Sequence, residues 1–415
     1  MKMLVNLYNR HFVVMLFICS ALFFSCETKS EIIPQLFVGN NKLQQPFGLC
    51  SHISRTGECC EFDVIDKELA TINNVGATMV RTDFDWGIFR TEKRESLSFK
   101  RFDVMVEKAN DNNIGILGIL PPATRDEHEL WTSHVSQLIN RYKNNIKYWE
   151  VLNEADFLSK RIAGFCAADY LDLLSKGCTS IRLKGEWTKV LFSGINPLTS
   201  FADSVFQMGG GKFFDIMNMH QYTYDKDPES LLDVFRKLSD LLEKYKIRKT
   251  VWMTETGYPT KGKLSVSEVV QAQNLPRIYL IALSSGVDKV FWYKSRSRET
   301  DSIDREAHFG IWHKDCTPKP AFYSYKTMTQ MLNTGSTRPR LIREGNTYFC
   351  FWKRHDGKRV YALWNNKGNK LVKMEIKGKA EFYNYMGENM QVSNEIVIGK
   401  GITYIVGPQK IDLVN

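Results

Sequence analysis

Two glutamates in this sequence stand where side chains can do chemistry. Glu154 follows Asn153 at the end of the apolar run IKYWEVLN (146–153), and Glu255 closes the run TVWMTE (250–255). A strand that stops on an amide beside a carboxylate delivers that polar pair to its own end. The two carboxylates are 101 residues apart (255 − 154), so only the fold can bring them together. A single strand-end Glu is ordinarily half of a salt bridge or the charge at a helix N-terminus. A facing pair is different: one carboxyl held protonated and one held ionised can donate to a leaving oxygen and attack an anomeric carbon, which is what glycosidic bond cleavage needs.

The elements that position the pair follow from hydrophobic periodicity. Eight short runs rich in Val, Ile, Phe or Trp, at 46–52, 77–84, 114–120, 146–153, 189–195, 214–220, 250–255 and 288–293, read as strands buried on both faces. Amphipathic stretches such as DVIDKELATINN and ESLLDVFRKLSDLLEKYK lie between them. Strand and helix alternating eight times predicts an α/β fold, a (β/α)8 TIM barrel over 46–335. A doubly wound sheet fits less well, because no glycine-rich phosphate turn follows the first strand. In a barrel the reactive groups gather at the C-terminal ends of the strands. Arg81 and Asp83, Asn153 and Glu154, His220 and Tyr222, and Glu255 all end strands there. His52, Trp86, His308 and Trp312 fall on loops at the same rim, with His52 and Trp86 read as substrate-binding residues, and Asp83 and Asp85 are equally suited to cap the segment that follows.

Beyond the last helix the period changes to two. TYFCFWKRHDGKRVYALWN, with an Asp356-Gly357 turn, and the short runs after it predict a small β-sandwich or sheet over 336–415, packed on the barrel and structural in role. At the other end, Lys2 and Arg10 precede HFVVMLFICSALFFSC, an apolar run of signal-peptide length, with 27–45 as a linker to the barrel. Nine cysteines are present, and removing Cys19 and Cys26 with the leader leaves seven, which allows one or two disulfides but not a full framework. Cys59-Cys60 lacks a partner at metal-ligand spacing, so no zinc site is read. The net charge of +10 is scattered among acids, without a basic run interleaved with aromatics, which argues against a nucleic-acid partner.

EVLNEAD and VWMTETGYPT, with HQY on the sixth strand, FWY on the eighth and FGIWHKDCTPKPAFYSY before the last helix, resemble the clan A glycoside hydrolases over about residues 46–334. The resemblance resolves no family within the clan, with family 39 and family 5 both similar. Many clan members carry Pro after Asn-Glu, where this chain has Ala155. The likeness implies a retaining mechanism with Glu154 as acid/base and Glu255 as nucleophile, and no metal or organic cofactor. It also implies that Asn153 holds the sugar 2-hydroxyl, that Arg81, His220 and Tyr222 surround Glu255, and that Trp292 floors the ring to be cleaved. Leu22-Phe23-Phe24-Ser25-Cys26 is similar to a bacterial lipobox, which implies a lipid anchor at Cys26, a membrane contact through it, and a periplasmic or cell-surface location. The expectation is a monomeric enzyme of polysaccharide degradation with a carbohydrate substrate. A carbohydrate-binding lipoprotein on the same scaffold competes with it, although a binding protein has no need of both glutamates. A Schiff-base enzyme would want a strand-end Lys, and none is read here.

Overall fold

A computed structural model describes residues 30–55, 62–84, 92–158, 160–185, 187–298, 303–392 and 395–414. The leader and Cys26 lie outside them, as do Cys59, Cys60, Asp85 and Trp86. The eight apolar runs form eight parallel strands: β1 (Phe47–Cys50), β2 (Met79–Asp83), β3 (Gly115–Leu120), β4 (Tyr148–Val151), β5 (Lys189–Leu191), β6 (Ile216–His220), β7 (Thr250–Thr256) and β8 (Lys289–Trp292). They pair in sequence order, and β8 closes on β1 through Phe47–Val290 and Leu49–Trp292. Their inward side chains fill the lower barrel with Cys50, Met79, Leu117, Leu191, Ile216, Trp252 and Phe291, so the interior is a packed plug and polar groups gather at the mouth above it. Gly48 is required in that plug: a Cβ there would meet the Phe291 ring at 2.2 Å.

Helices return the chain outside the barrel. Leu231–Lys244 illustrates why: Leu231, Leu232, Val234, Phe235, Leu238 and Leu242 form one buried stripe, while Asp233, Arg236 and Lys237 remain on the other face. No described helix is long and apolar enough to cross a membrane. The described cysteines, Cys50, Cys166, Cys178, Cys316 and Cys350, are all free.

The C-terminal strands are β9 (Arg340–Glu344), β10 (Thr347–Lys353), β11 (Arg359–Asn365), β12 (Lys370–Lys377), β13 (Glu381–Tyr383), β14 (Asn389–Met390), β15 (Glu395–Ile398), β16 (Thr403–Val406) and β17 (Lys410–Val414). They build a sandwich. One sheet runs β9-β10-β11-β16-β13-β14, and β15-β12-β17 packs over it. Alternation sorts the faces: Tyr348, Cys350, Trp352, Trp364 and Tyr404 join the barrel's own core, whereas Tyr361, Leu363, Phe382 and Ile405 meet the second sheet. The segment read as a linker is corrected here. Glu31–Ile32 pairs with β9 as the edge strand of the larger sheet, and Ile33, Phe37 and Leu43 are buried in the shared core. Pro34 breaks the run before any period can show in the sequence.

Barrel and sandwich are joined by a buried polar contact. Glu229 accepts from Arg277 (3.0 and 2.5 Å) and from the indole of Trp364 at 2.8 Å. Arg277 is wholly buried on the helix Glu268–Ser284. Removing the carboxylate strands a desolvated guanidinium, which is far costlier than losing a surface pair. Glu229→Gln is therefore expected to lower the unfolding free energy by about 3–5 kcal/mol, measured by chemical denaturation.

Candidate active site

Both glutamates reach the mouth through irregular backbone. After β4 the chain carries Leu152 at φ 64° and Glu154 at φ 48°. Regular alternation would turn Leu152 inward beside Glu150. Instead Leu152 packs into the outer core, and Asn153 bridges to Gly194 on the β5 side. Left-handed backbone at non-glycine residues costs roughly 1–3 kcal/mol each and persists where packing enforces it. In β7 the register slips: Met219 faces Met253, but the next residue, His220, faces Glu255. The slip recurs against β8, between Met253 and Thr256. Such a bulge re-aims a side chain, and here the residue it re-aims is Glu255.

Arg81 organises what arrives. Its buried guanidinium donates to Glu150 through Nε (2.6 Å) and Nη2 (2.9 Å), to Glu255 Oε1 through Nη1 (2.5 Å), and to Asn153 Oδ1 through Nη2 (2.6 Å). Tyr222 donates its hydroxyl to the other Glu255 oxygen at 2.7 Å. His220 Nδ1 lies 3.3 Å from Glu154 Oε1 and 3.5 Å from Glu255 Oε2, while its Nε2 meets Thr254 Oγ1 at 3.1 Å. Oxygens of Glu154 and Glu255 and a His220 nitrogen all fall within 4.8 Å of one another.

The environments of the pair differ. Burial works to raise the Glu255 carboxyl, but His220, Arg81 and the Tyr222 hydrogen bond outweigh it and hold the group below the usual carboxylate range. His220 is driven the other way: burial favours the neutral ring, yet Glu255 and Glu154 together raise its pKa. Burial, then the Glu255 charge, pushes the Tyr222 phenol well up, so it remains a donor. The Glu154 side chain is 21% exposed against 10% for Glu255, leaving it open to the cleft. Two residues on, burial lifts Asp156 to about 6 against a hydrogen bond from the Asn196 amide, and its Oδ1 is buried without a partner among the described residues.

The cleft walls revise the sequence reading in several places. Trp292 is wholly buried and packs near Tyr258, so it floors no ring. Its neighbour Tyr293 stands at the mouth, with its hydroxyl 3.3 Å from His52 Nε2 and its ring against Tyr222 and Phe309. Tyr224 stacks on Tyr222 with centroids 5.2 Å apart, and Arg305 lies over Tyr224. His52 Nδ1 meets Asp83 at 3.1 Å, and Arg55 donates to the same carboxylate at 2.9 Å. Burial opposes ionisation of Asp83, but His52 and Arg55 bring it well below its ordinary value. Trp312 and His308 are buried. The sequence reading passed over Glu150 and over Lys294, a buried lysine two residues past β8 whose ammonium lies 6.0 Å from the Tyr293 ring centroid. Glu150 left one signal: it is the only charge inside an otherwise apolar strand.

Similar architectures are known. A family 39 glycoside hydrolase from the gut symbiont Bacteroides cellulosilyticus WH2 matches 89% of this chain and 82% of its own, with a TM-score of 0.72 and 18% identity. A glucosidase from Croceicoccus marinus matches 94% of this chain and 100% of its own (TM-score 0.65, 12% identity). A monomeric beta-xylosidase from Caulobacter crescentus CB15 matches 90% and 98% (TM-score 0.62, 11% identity). The chain has the clan A glycoside hydrolase fold. The coverage takes in the sandwich as well as the barrel. No family profile and no curated protein matches the sequence.

Glu154, His220 and Glu255 have the donor types of a divalent-cation site. The Arg81 guanidinium already in contact with Glu255 opposes a second cation there. Dialysis against a chelator is expected to leave thermal stability unchanged, read by calorimetry with and without added zinc. A second expectation concerns protons. The depressed Glu255 contributes stability that is complete above about pH 4.3 and is lost as pH falls through its lower folded value. Tyr222→Phe removes one donor to the ionised form and should raise the Glu255 titration, followed by carboxyl NMR.

Proposed function

We propose that this protein is a retaining β-glycoside hydrolase that cleaves oligo- or polysaccharides by double displacement. The observation that carries the reading is the Glu154–Glu255 pair, with oxygens within 4.8 Å across one barrel mouth. A retaining pair stands about 5–5.5 Å apart, and an inverting pair about 6.5–9.5 Å, to admit a water between. Glu255, kept ionised by Arg81, Tyr222 and His220, attacks the anomeric carbon. Glu154, on the open side, protonates the departing oxygen and then takes a proton from the water that hydrolyses the glycosyl-enzyme. Asn153 has its carbonyl oxygen engaged by Arg81, which leaves its amide N–H groups to hold the sugar 2-hydroxyl as charge develops on the ring. Tyr222, Tyr224 and Tyr293 supply the aromatic wall expected of Trp292.

The fold's likeness to a beta-xylosidase and a glucosidase supports a β-glycoside as substrate. The apolar leader and Cys26 support export and a lipid anchor at the cell envelope, with the enzyme acting there as a monomer. Two variants test the chemistry. Glu255→Gln should abolish turnover of every substrate. Glu154→Gln should lose about 10²–10⁴-fold on substrates with poor leaving groups, retain glycosylation by dinitrophenyl glycosides, and with azide yield a β-glycosyl azide. Equal loss in both variants without azide rescue would remove the role assignment. Sugar binding by a wild-type protein that turns over no glycoside would favour a binding protein.

A further inference from the structure

A second cleft, of about 680 Å³, lies between the entering chain, the N-terminal face of the barrel and the edge of the larger sheet. Three of its lining residues are exposed cations: Arg340 at the start of β9, Lys353 at the end of β10 and Arg359 at the start of β11. The registers set Arg340 opposite Phe351 and Lys353 opposite Arg359, so these side chains share one face of the sheet. Like charges directly opposite on neighbouring strands destabilise the pairing. None of the three has an ion-pair partner among the described residues. Arg359 donates only to the neutral carbonyl of Gln409. The fourth cation of the cleft, Arg338, is engaged by Asp288 and by the carbonyls of Leu283 and Val287. The nearest acid on the entering strand, Glu31, pairs with Arg236 at 3.9 Å and faces Arg343. A fold that keeps such repulsion uncompensated has a standing affinity for an anion at that spot.

The entering chain says which anion. Ile32, 73% exposed, and Ile33 line the cleft. Cys26 lies five residues before Glu31 (31 − 26), which a fully extended chain spans in about 18 Å at most. An acyl group on Cys26 would keep the cleft on a short tether to the bilayer, so that it samples the surface layer where headgroup potential decays over a Debye length of about 8 Å. We propose that this cleft is the surface on which the protein rests on an anionic phospholipid layer, with headgroup phosphates neutralising Arg340, Lys353 and Arg359 and Ile32 entering the layer. The cleft includes Ser284, on the approach to β8, so it belongs to the barrel face opposite the glutamates, and the catalytic mouth points away from the membrane. This assignment rests on anchoring at Cys26 and is independent of the glycosidase reading.

The test uses the mature chain, residues 26–415, with Cys26→Ser to leave it unacylated. Co-sedimentation at about 0.1 M salt compares vesicles of phosphatidylcholine alone with vesicles containing phosphatidylglycerol. Binding is expected only to the anionic vesicles, weakening as salt rises. Each cation replaced should cost roughly fivefold, and the triple variant Arg340→Gln, Lys353→Gln, Arg359→Gln on the order of a hundredfold. The same triple variant should melt no lower than the wild type, because it relieves the Lys353–Arg359 repulsion, and that readout separates lost binding from lost fold. Equal wild-type binding to both vesicle types, or unchanged binding by the folded triple variant, would overturn the proposal. So would absence of vesicle binding, including the case where an acidic oligosaccharide binds and the triple variant loses it, which would make the cleft a polysaccharide site.

Discussion

One guanidinium determines the arrangement at the barrel mouth. Arg81 projects from β2 and ties down Glu150 and Asn153 from the end of β4 and Glu255 from β7. Its planar fork suits this better than an ammonium would, because five fixed N–H directions satisfy several acceptors without rearrangement. A buried guanidinium with carboxylates on two sides also sets the charge pattern. Glu255 is held as an anion, and Glu154 is the more open of the two glutamates at the mouth. Losing Arg81 would leave Glu150, itself wholly buried, without its cation, so the site and the strands beneath it depend on the same contact.

The eight strands were legible because a strand covered on both faces must be apolar along its whole length, as TVWMTE and IGILGIL are. The glutamate pair was legible for the complementary reason: a charge that ends such a run has nowhere to go except the rim. What failed was parity. Trp292 and Tyr293 are adjacent, and plain alternation from the inward Phe291 turns Trp292 into the outer core and Tyr293 to the mouth. An error of one residue exchanges the two faces. The slip in β7 is a separate matter: it re-aims Glu255, and composition carries no trace of it. Glu150 was missed because strand-end reasoning looks past the middle of a strand. The entering strand Glu31–Ile32 was missed because two residues are too few to show alternation.

The sandwich stabilises the barrel from outside and leaves the site alone. Its inner aromatic residues complete the barrel's core, and Trp364 reaches Glu229 between the helices that follow β6 and β7. Those strands carry His220 and Glu255. The β domain thus braces the side of the barrel that holds the ionised carboxylate.

Leu152 shows what this geometry imposes on the sequence. Its side chain is wholly buried in the outer core, which calls for a large apolar residue, while its φ of 64° is one that glycine adopts without strain. No natural side chain satisfies both demands. Glycine would relax the backbone and leave a cavity, and valine or isoleucine would fill space but clash in the left-handed region. Stability and site geometry are in opposition at this one residue, and the turn that aims Glu154 is held by packing against the backbone's own preference.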